Sequence, residues 1–159
     1  RTCPRFIIGR IHGKCVGGGV GLAAAVDYAF ATEAAEVKLS ELAVGIGPFV
    51  VGPAIERKIG ISGFSQLAIH ASMWRNANWA RRKGLFAEVY ENTASMDEAI
   101  GRLSLSLSLS SPAAMAEMKK IFWKGTEHWD KLLVERAAIS GRLVLSDFTK
   151  NAIAKFRTG

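Results

Sequence analysis

Cysteine is almost absent from this chain. Cys3 and Cys15 are the only two, too few and too irregularly placed for a disulfide framework, and with no C-x-x-C or paired-histidine spacing they make no zinc signature. His12, His70 and His128 stand apart from one another, so no metal site is expected. A reducing cytoplasm is the setting this usage predicts. Long apolar runs are missing too. The most apolar stretch, residues 42–55, is broken by Gly45, Gly47, Pro48, Gly52 and Pro53, well short of the roughly 18 consecutive apolar residues of a membrane helix; a soluble protein is expected. The opening RTCPRFIIGR has neither the apolar core nor the small-residue cleavage site of a signal peptide, and it enters a strand pattern as though in mid-fold. Acidic side chains are scarce as well: 14 Asp and Glu face 21 Lys and Arg, a net charge of +7. The basic residues are scattered, and the densest group, Arg81-Arg82-Lys83 after Trp79, is one short cluster. A solvated surface with some preference for anions is expected, rather than a nucleic-acid platform.

At 159 residues and 49% hydrophobic, the chain suits one core. Residues 6–11 have strand length, and 17–31 are small and apolar enough for a tightly packed helix. A second strand is predicted at 36–39, and Gly47-Pro48 is a natural helix start. Helices follow at 62–71 and 76–83, ending near Gly84, with a strand at 87–90. Beyond this the chain turns helical, from a capping-box pattern at Ser95 and Glu98. LSLSLSLSS, residues 103–111, alternates like a strand, yet it lies between that cap and the Ser111-Pro112 break, so helix is predicted. Residues 129–144 carry an apolar stripe at helical spacing, and a last helix is predicted over 146–156.

The stretch that asks for an explanation is HGKCVGGGVGLAAA, residues 12–25, with five glycines in fourteen residues. Gly19, Gly21 and Ala24 fit a relaxed G-x-G-x-x-A dinucleotide fingerprint, but five residues from His12 separate it from its strand, and no ribose-binding acid follows at the end of a clear parallel strand. A phosphate-binding P-loop would need one more residue before Gly13-Lys14 and a Ser or Thr at Cys15. Close helix packing accounts for 23–25 better than for 17–19, since glycine at a helix start costs entropy and adds no packing. The remaining reading is an oxyanion site: free N–H groups at a helix start meet an oxygen that becomes negative during reaction, and no side chain holds the substrate off.

FIIGRIHGKCVGGGVGLAAAVDYAFAT resembles the strand, HG turn, triple-glycine oxyanion loop and helix of the crotonase superfamily, the enoyl-CoA hydratase/isomerase family. VKLSELAVGIGP resembles its next strand and acid-bearing loop. WARRKGLFAEVY, SPAAMAEMKK and SDFTKNAIAKF are similar, more loosely, to its later segments. The resemblance implies an α/β fold, a spiral of ββα turns over 1–94 with a helical trimerisation region over 95–159. It implies acyl-CoA thioester substrates, coenzyme A entering as part of the substrate with no separate cofactor, and a homotrimer or hexamer, with no nucleic-acid or membrane partner.

Carried over by residue, the resemblance makes Gly18 the backbone N–H donor to the thioester oxygen and Glu41 the acid/base. Gly17, Gly19, Gly21, Pro48 and Phe49 become substrate-binding positions. The family's second oxyanion donor belongs to a segment before Arg1. The bland reading of Glu41 is a loop acid that favours a following helix start. Two departures bear on the reaction: hydratases of the family usually carry a second glutamate at the position of Gly21 and a glycine at that of Phe49. Hydration normally needs two carboxylates around a water, whereas moving a double bond needs one base. Gly45, Pro48 and Phe49 also resemble the loop of Δ3,Δ2-enoyl-CoA isomerases, with one residue fewer between acid and Pro-Phe. Isomerisation is therefore expected, with hydration and a catalytically silent binding role as alternatives, and Gly21→Glu with Phe49→Gly is expected to favour hydration. Trp123 and Trp129 read as helix packing or a subunit contact.

Overall fold

Two successive passes of the chain repeat one pattern. In the computed structural model, which describes residues 1–157, the first pass is β1 (Ile8–Ile11), β2 (Lys14–Val16) and α1 (Gly18–Ala25); the second is β3 (Tyr28–Thr32), β4 (Glu36–Lys38), a 3-10 turn (Glu41–Val44) and α2 (Gly52–Ile69). Next come β5 (Arg75–Asn76), α3 (Ala77–Arg82) and β6 (Glu88–Tyr90), and then four helices: α4 (Thr93–Ser108), α5 (Pro112–Phe122), α6 (Trp129–Val144) and α7 (Asp147–Arg157). Thr158 and Gly159, the end of the region predicted to be helical, lie outside the described residues. The first strands of each pass stack in parallel, Ile8 opposite Tyr28 and Phe30 opposite Glu88, giving the sheet β1-β3-β6. The second strands build β2-β4-β5, parallel between Cys15 and Val37 and antiparallel between Val37 and Arg75. This is the ββα spiral that the resemblance implies. Among the described residues no helix is long and apolar enough to cross a membrane.

Several elements differ from the sequence reading. The helix predicted over 17–31 ends at Ala25, and residues from Tyr28 form a strand. Asp27 makes the break: its N–H donates to the Ile7 carbonyl (2.9 Å) and its carboxylate accepts the Ile7 N–H (2.7 Å), a cross-chain clasp that periodicity does not reveal. β2, three residues long, was hidden in the glycine-rich turn. α2 starts at Gly52-Pro53 rather than Gly47-Pro48, with a non-helical Gly60 (φ 71°) inside it. The cap of α4 is Asn92, whose side chain accepts the Ser95 N–H, so the Ser95 capping box does not form. The alternating LSLSLS tract is helical, as expected.

The main core lies between the two sheets and the first two helices, where Val20, Ala24, Ala31, Val37, Ile55 and Leu85 are fully buried. Alanine and glycine dominate α1 because it lies so close to its neighbours. A smaller cluster of Phe30, Met96 and Ala99 seats α4. α5 is held by charge. Lys119 and Asp27 form an ion pair with side chains only 3% and 7% exposed. Trp123 Nε1 donates to the other Asp27 oxygen (3.1 Å), and Lys119 also reaches the Arg5 carbonyl (3.4 Å). Burial pushes the Asp27 carboxyl up, but hydrogen bonds from Lys119, Ile7 and Trp123 outweigh it and hold the group below its ordinary range.

Removing one partner of such a pair leaves the other buried and uncompensated, so Lys119→Met should cost about 3–5 kcal/mol in denaturant unfolding. Because the folded Asp27 binds its proton less tightly than the unfolded one, its contribution is full above the ordinary aspartate range and is lost as pH falls through the folded value. The native protein should therefore lose stability in acid more steeply than Lys119→Met does, a difference that melting curves across acidic pH would read.

Candidate active site

Register brings the two halves of the site together. Val16 at the end of β2 lies opposite Lys38 at the end of β4, and the Gly17 N–H continues the ladder by donating to the Lys38 carbonyl (2.9 Å). One residue past β2 therefore meets the turn three residues past β4. Gly17 has φ 53° and ψ −113°, a conformation suited to glycine, and a Cβ there would stand 3.0 Å from Glu41 Oε1. The carboxylate rests against bare backbone.

From Gly17 the chain enters α1 directly. Val20 and Gly21 both donate their N–H to the Gly17 carbonyl (3.0 and 3.2 Å). Among the described residues, the Gly18 and Gly19 N–H groups have no acceptor, so the partly positive end of the helix is open. The glycines have separate reasons to be bare. Gly18 faces open space, with nothing within 4 Å of where a Cβ would be. Gly19 packs on Cys15 Sγ, 3.3 Å from a built Cβ. Gly21 is pressed by Val51, whose Cγ1 would lie 2.6 Å from a Cβ. A side chain at Gly21, which the Gly21→Glu expectation requires, would need Val51 to give way.

Glu41 opens the 3-10 turn. Its Oε2 is buried and has no hydrogen-bond partner among the described residues. Burial raises its pKa above the ordinary carboxylate value, its own backbone N–H offsetting part of this. A carboxyl raised in this way holds a proton more readily than an exposed one, which suits a group that takes a proton and gives it back.

A cavity of about 300 Å³ opens at Gly18. Gly18, Gly21, Leu22 and Ala25 line it along one face of α1; Val51 and Ala54 form a second wall, and Trp123 and Trp129 a third. The two indoles meet edge to face at 5.8 Å. Pro48 and Phe49 do not line it; the Phe49 ring folds back over Gly47, where a Cβ would be 2.5 Å from Cζ. Of the expected residues, the structure gathers Gly17, Gly18 and Glu41, sets Gly21 in the cavity wall, and leaves Pro48 and Phe49 aside. The sequence reading missed Leu22, Ala25 and the tryptophans as cavity residues. The helical spacing of 18, 22 and 25 was available as a signal, whereas the indole wall comes from distant helices and had none.

The model of the enoyl-CoA hydratase/isomerase family matches residues 1–155. A mitochondrial Δ(3,5)-Δ(2,4)-dienoyl-CoA isomerase of Mus musculus is 29% identical over 118 residues, covering 74% of this chain and 36% of the isomerase. An enoyl-CoA hydratase of Alternaria alternata is 25% identical over 159 residues, 99% of this chain and 53% of the hydratase. Among solved structures, an enoyl-CoA hydratase/isomerase from Pseudoalteromonas atlantica superposes with a TM-score of 0.89 at 18% identity, covering 98% of this chain and 63% of that one. The chain thus spans about half the length, or less, of these curated relatives. With its family's model matched almost end to end and the same spiral fold, the chain belongs to the enoyl-CoA hydratase/isomerase family.

Proposed function

We propose that this chain carries the catalytic acid/base and one oxyanion donor of an enzyme that moves a carbon–carbon double bond along an acyl-CoA thioester. The observation that supports this most is the half-buried carboxylate of Glu41, one oxygen of which has no partner among the described residues, set against Gly17 where α1 begins with the unoccupied N–H groups of Gly18 and Gly19. With the thioester oxygen at the Gly18 N–H, Glu41 removes a proton from C2 of a 3-enoyl chain. The C–H electron pair moves into the C1–C2 bond, and the carbonyl π pair moves onto the oxygen. As the oxyanion collapses, the carbonyl re-forms, the C1=C2 pair moves into C2–C3 to make the C2=C3 bond, and the C3=C4 π bond breaks as its pair takes the proton from Glu41 at C4. The proton count closes with no water consumed. Each N–H aimed at the developing oxyanion is expected to supply about 3–4 kcal/mol, and the apolar cavity along α1 receives the acyl chain.

The closed space at Gly21 favours isomerisation, because a second carboxylate has no place there beside Val51. The hydratase relative, aligned over 99% of the chain, favours hydration as the second reading. For assembly we propose a homotrimer or a pair of trimers. α6 buries none of its side chains within the chain, yet it presents apolar residues such as Val134.

The protein should convert 3-enoyl-CoA to trans-2-enoyl-CoA faster than it hydrates the product, in coupled absorbance assays on both substrates; efficient hydration with slow isomerisation would reverse the assignment. Glu41→Gln should abolish turnover while a CoA ester still binds. The same variant should melt higher than the native protein at neutral pH and no higher at pH 4. The raised folded pKa of Glu41 means that its ionisation opposes folding, a penalty that appears as pH rises above the ordinary glutamate range. Sedimentation should give a multiple of three chains, and a clean monomer would exclude the trimer.

A further inference from the structure

The carboxylate of Glu41 has no hydrogen bond to any other described side chain: Oε2 is buried without a partner, and Oε1 is met by the bare Cα of Gly17. A side chain held this way takes its direction from its backbone, so whatever fixes the turn at Glu41–Val44 aims the acid. Two hydrogen bonds close that turn. The Ile46 N–H donates to the Glu41 carbonyl (3.0 Å) and the Gly45 N–H to that of Leu42 (3.1 Å), with Gly45 in the left-handed region at φ 81°.

α7 presses on this closure. A Cβ at Gly45 would stand 2.5 Å from Phe148 Cδ1 and 2.7 Å from Thr149 Oγ1, so helix and turn meet at backbone distance. Thr149 is fully buried. Its N–H donates to Ser146 Oγ (3.3 Å) and its hydroxyl lies 3.2 Å from the same oxygen, while the Ser146 N–H is anchored on the Leu143 carbonyl (3.0 Å) at the end of α6. The start of α7 is therefore rigid where it touches the turn. Phe148 is 67% exposed, so its burial adds little to stability, and its contact with Gly45 is the distinctive feature of its position.

We propose that Phe148 and Thr149 are positioning residues for Glu41: by packing on Gly45 they fix the backbone of the acid-bearing turn, and α7 thereby sets where the proton acceptor stands. This rests on the reading of Glu41 as the acid/base. Asp147 and Lys150, which flank Phe148 and Thr149, face solvent and pair with each other at 3.9 Å.

The test compares Phe148→Ala, Phe148→Leu, Gly45→Ala and the Gly45→Ala/Phe148→Ala double variant in steady-state turnover of 3-enoyl-CoA, with circular dichroism and melting as the check on folding. Phe148→Ala should keep its melting temperature within a few degrees and lose roughly tenfold or more in kcat, with KM within about twofold, because the base is displaced while substrate binding is not. Phe148→Leu should recover most of the loss. Gly45→Ala should fall comparably, and the double variant should be no worse than the poorer single variant, since both act on one contact. An unchanged kcat in Phe148→Ala, a loss carried by KM, or losses that multiply in the double variant would each overturn the clamp. Glu41→Gln separates the two readings. If it still turns over, the acid/base assignment fails and the clamp with it; if it is inactive while Phe148→Ala is fully active, only the clamp fails.

Discussion

The absence of side chains at three alternate positions of one helix start holds this site together. Gly17, Gly19 and Gly21 lie against the Glu41 carboxylate, the Cys15 sulfur and the Val51 side chain, each closer than a Cβ would comfortably allow. Because α1 can approach that closely, its first N–H groups come to lie beside the acid instead of behind side chains. Had any of the three been alanine, helix and neighbours would have to separate by some tenths of an ångström or more. The conformational entropy that glycine costs at a helix start is thus offset by geometry obtainable in no other way.

Two carboxylates show how the fold distinguishes structure from chemistry. Asp27 is buried but fully bonded, by Lys119, Trp123 and the Ile7 N–H, and its pKa is lowered despite burial. Glu41 is only half-buried, but one oxygen is orphaned and its pKa is raised. The first arrangement favours a fixed charge and a docked α5. The second leaves a carboxylate oxygen without a partner among the described residues, and buried polar atoms without partners are uncommon enough to need a reason. Both lie at ends of the same short stretch: Asp27 follows the C-terminus of α1, and Glu41 packs beside its N-terminus. The cavity along the face of α1 runs between these two ends and is closed by Trp123, which is itself hydrogen-bonded to Asp27. The structural ion pair and the apolar wall of the site are in this way one assembly.

Residue order alone carried the family assignment, because a glycine triplet after a strand and HG turn, an acid after the next strand, and three later segments at fitting spacing form a pattern that few folds share. It also carried the helical nature of the LSLSLS tract, through the cap before it and the Ser-Pro break after it, and the pairing of Gly18 with Glu41 in one site as an expectation from the resemblance. Local pattern misplaced the end of α1, the start of α2 and the cap of α4. Each of those boundaries is set by a contact that propensity does not register: Asp27 clasping Ile7, Pro53 in place of Pro48, and Asn92 ahead of Ser95.

The sequence by itself determined which backbone could be approached closely, since that depends on residue type at fixed spacing, and the resemblance it carries singled out the acid. Only the tertiary structure decided what approaches. That Gly21 is closed by Val51, that Phe49 turns onto Gly47 away from the cavity, that indoles from the α5–α6 connection wall the cavity, and that α7 bears on Gly45 all arise from pairs far apart in the chain. Such pairs meet because the spiral stacks its passes and folds the C-terminal helices back over them. One-dimensional spacing carries no record of that distance, and a glycine looks the same in sequence whether it faces open space, a sulfur or a neighbouring helix.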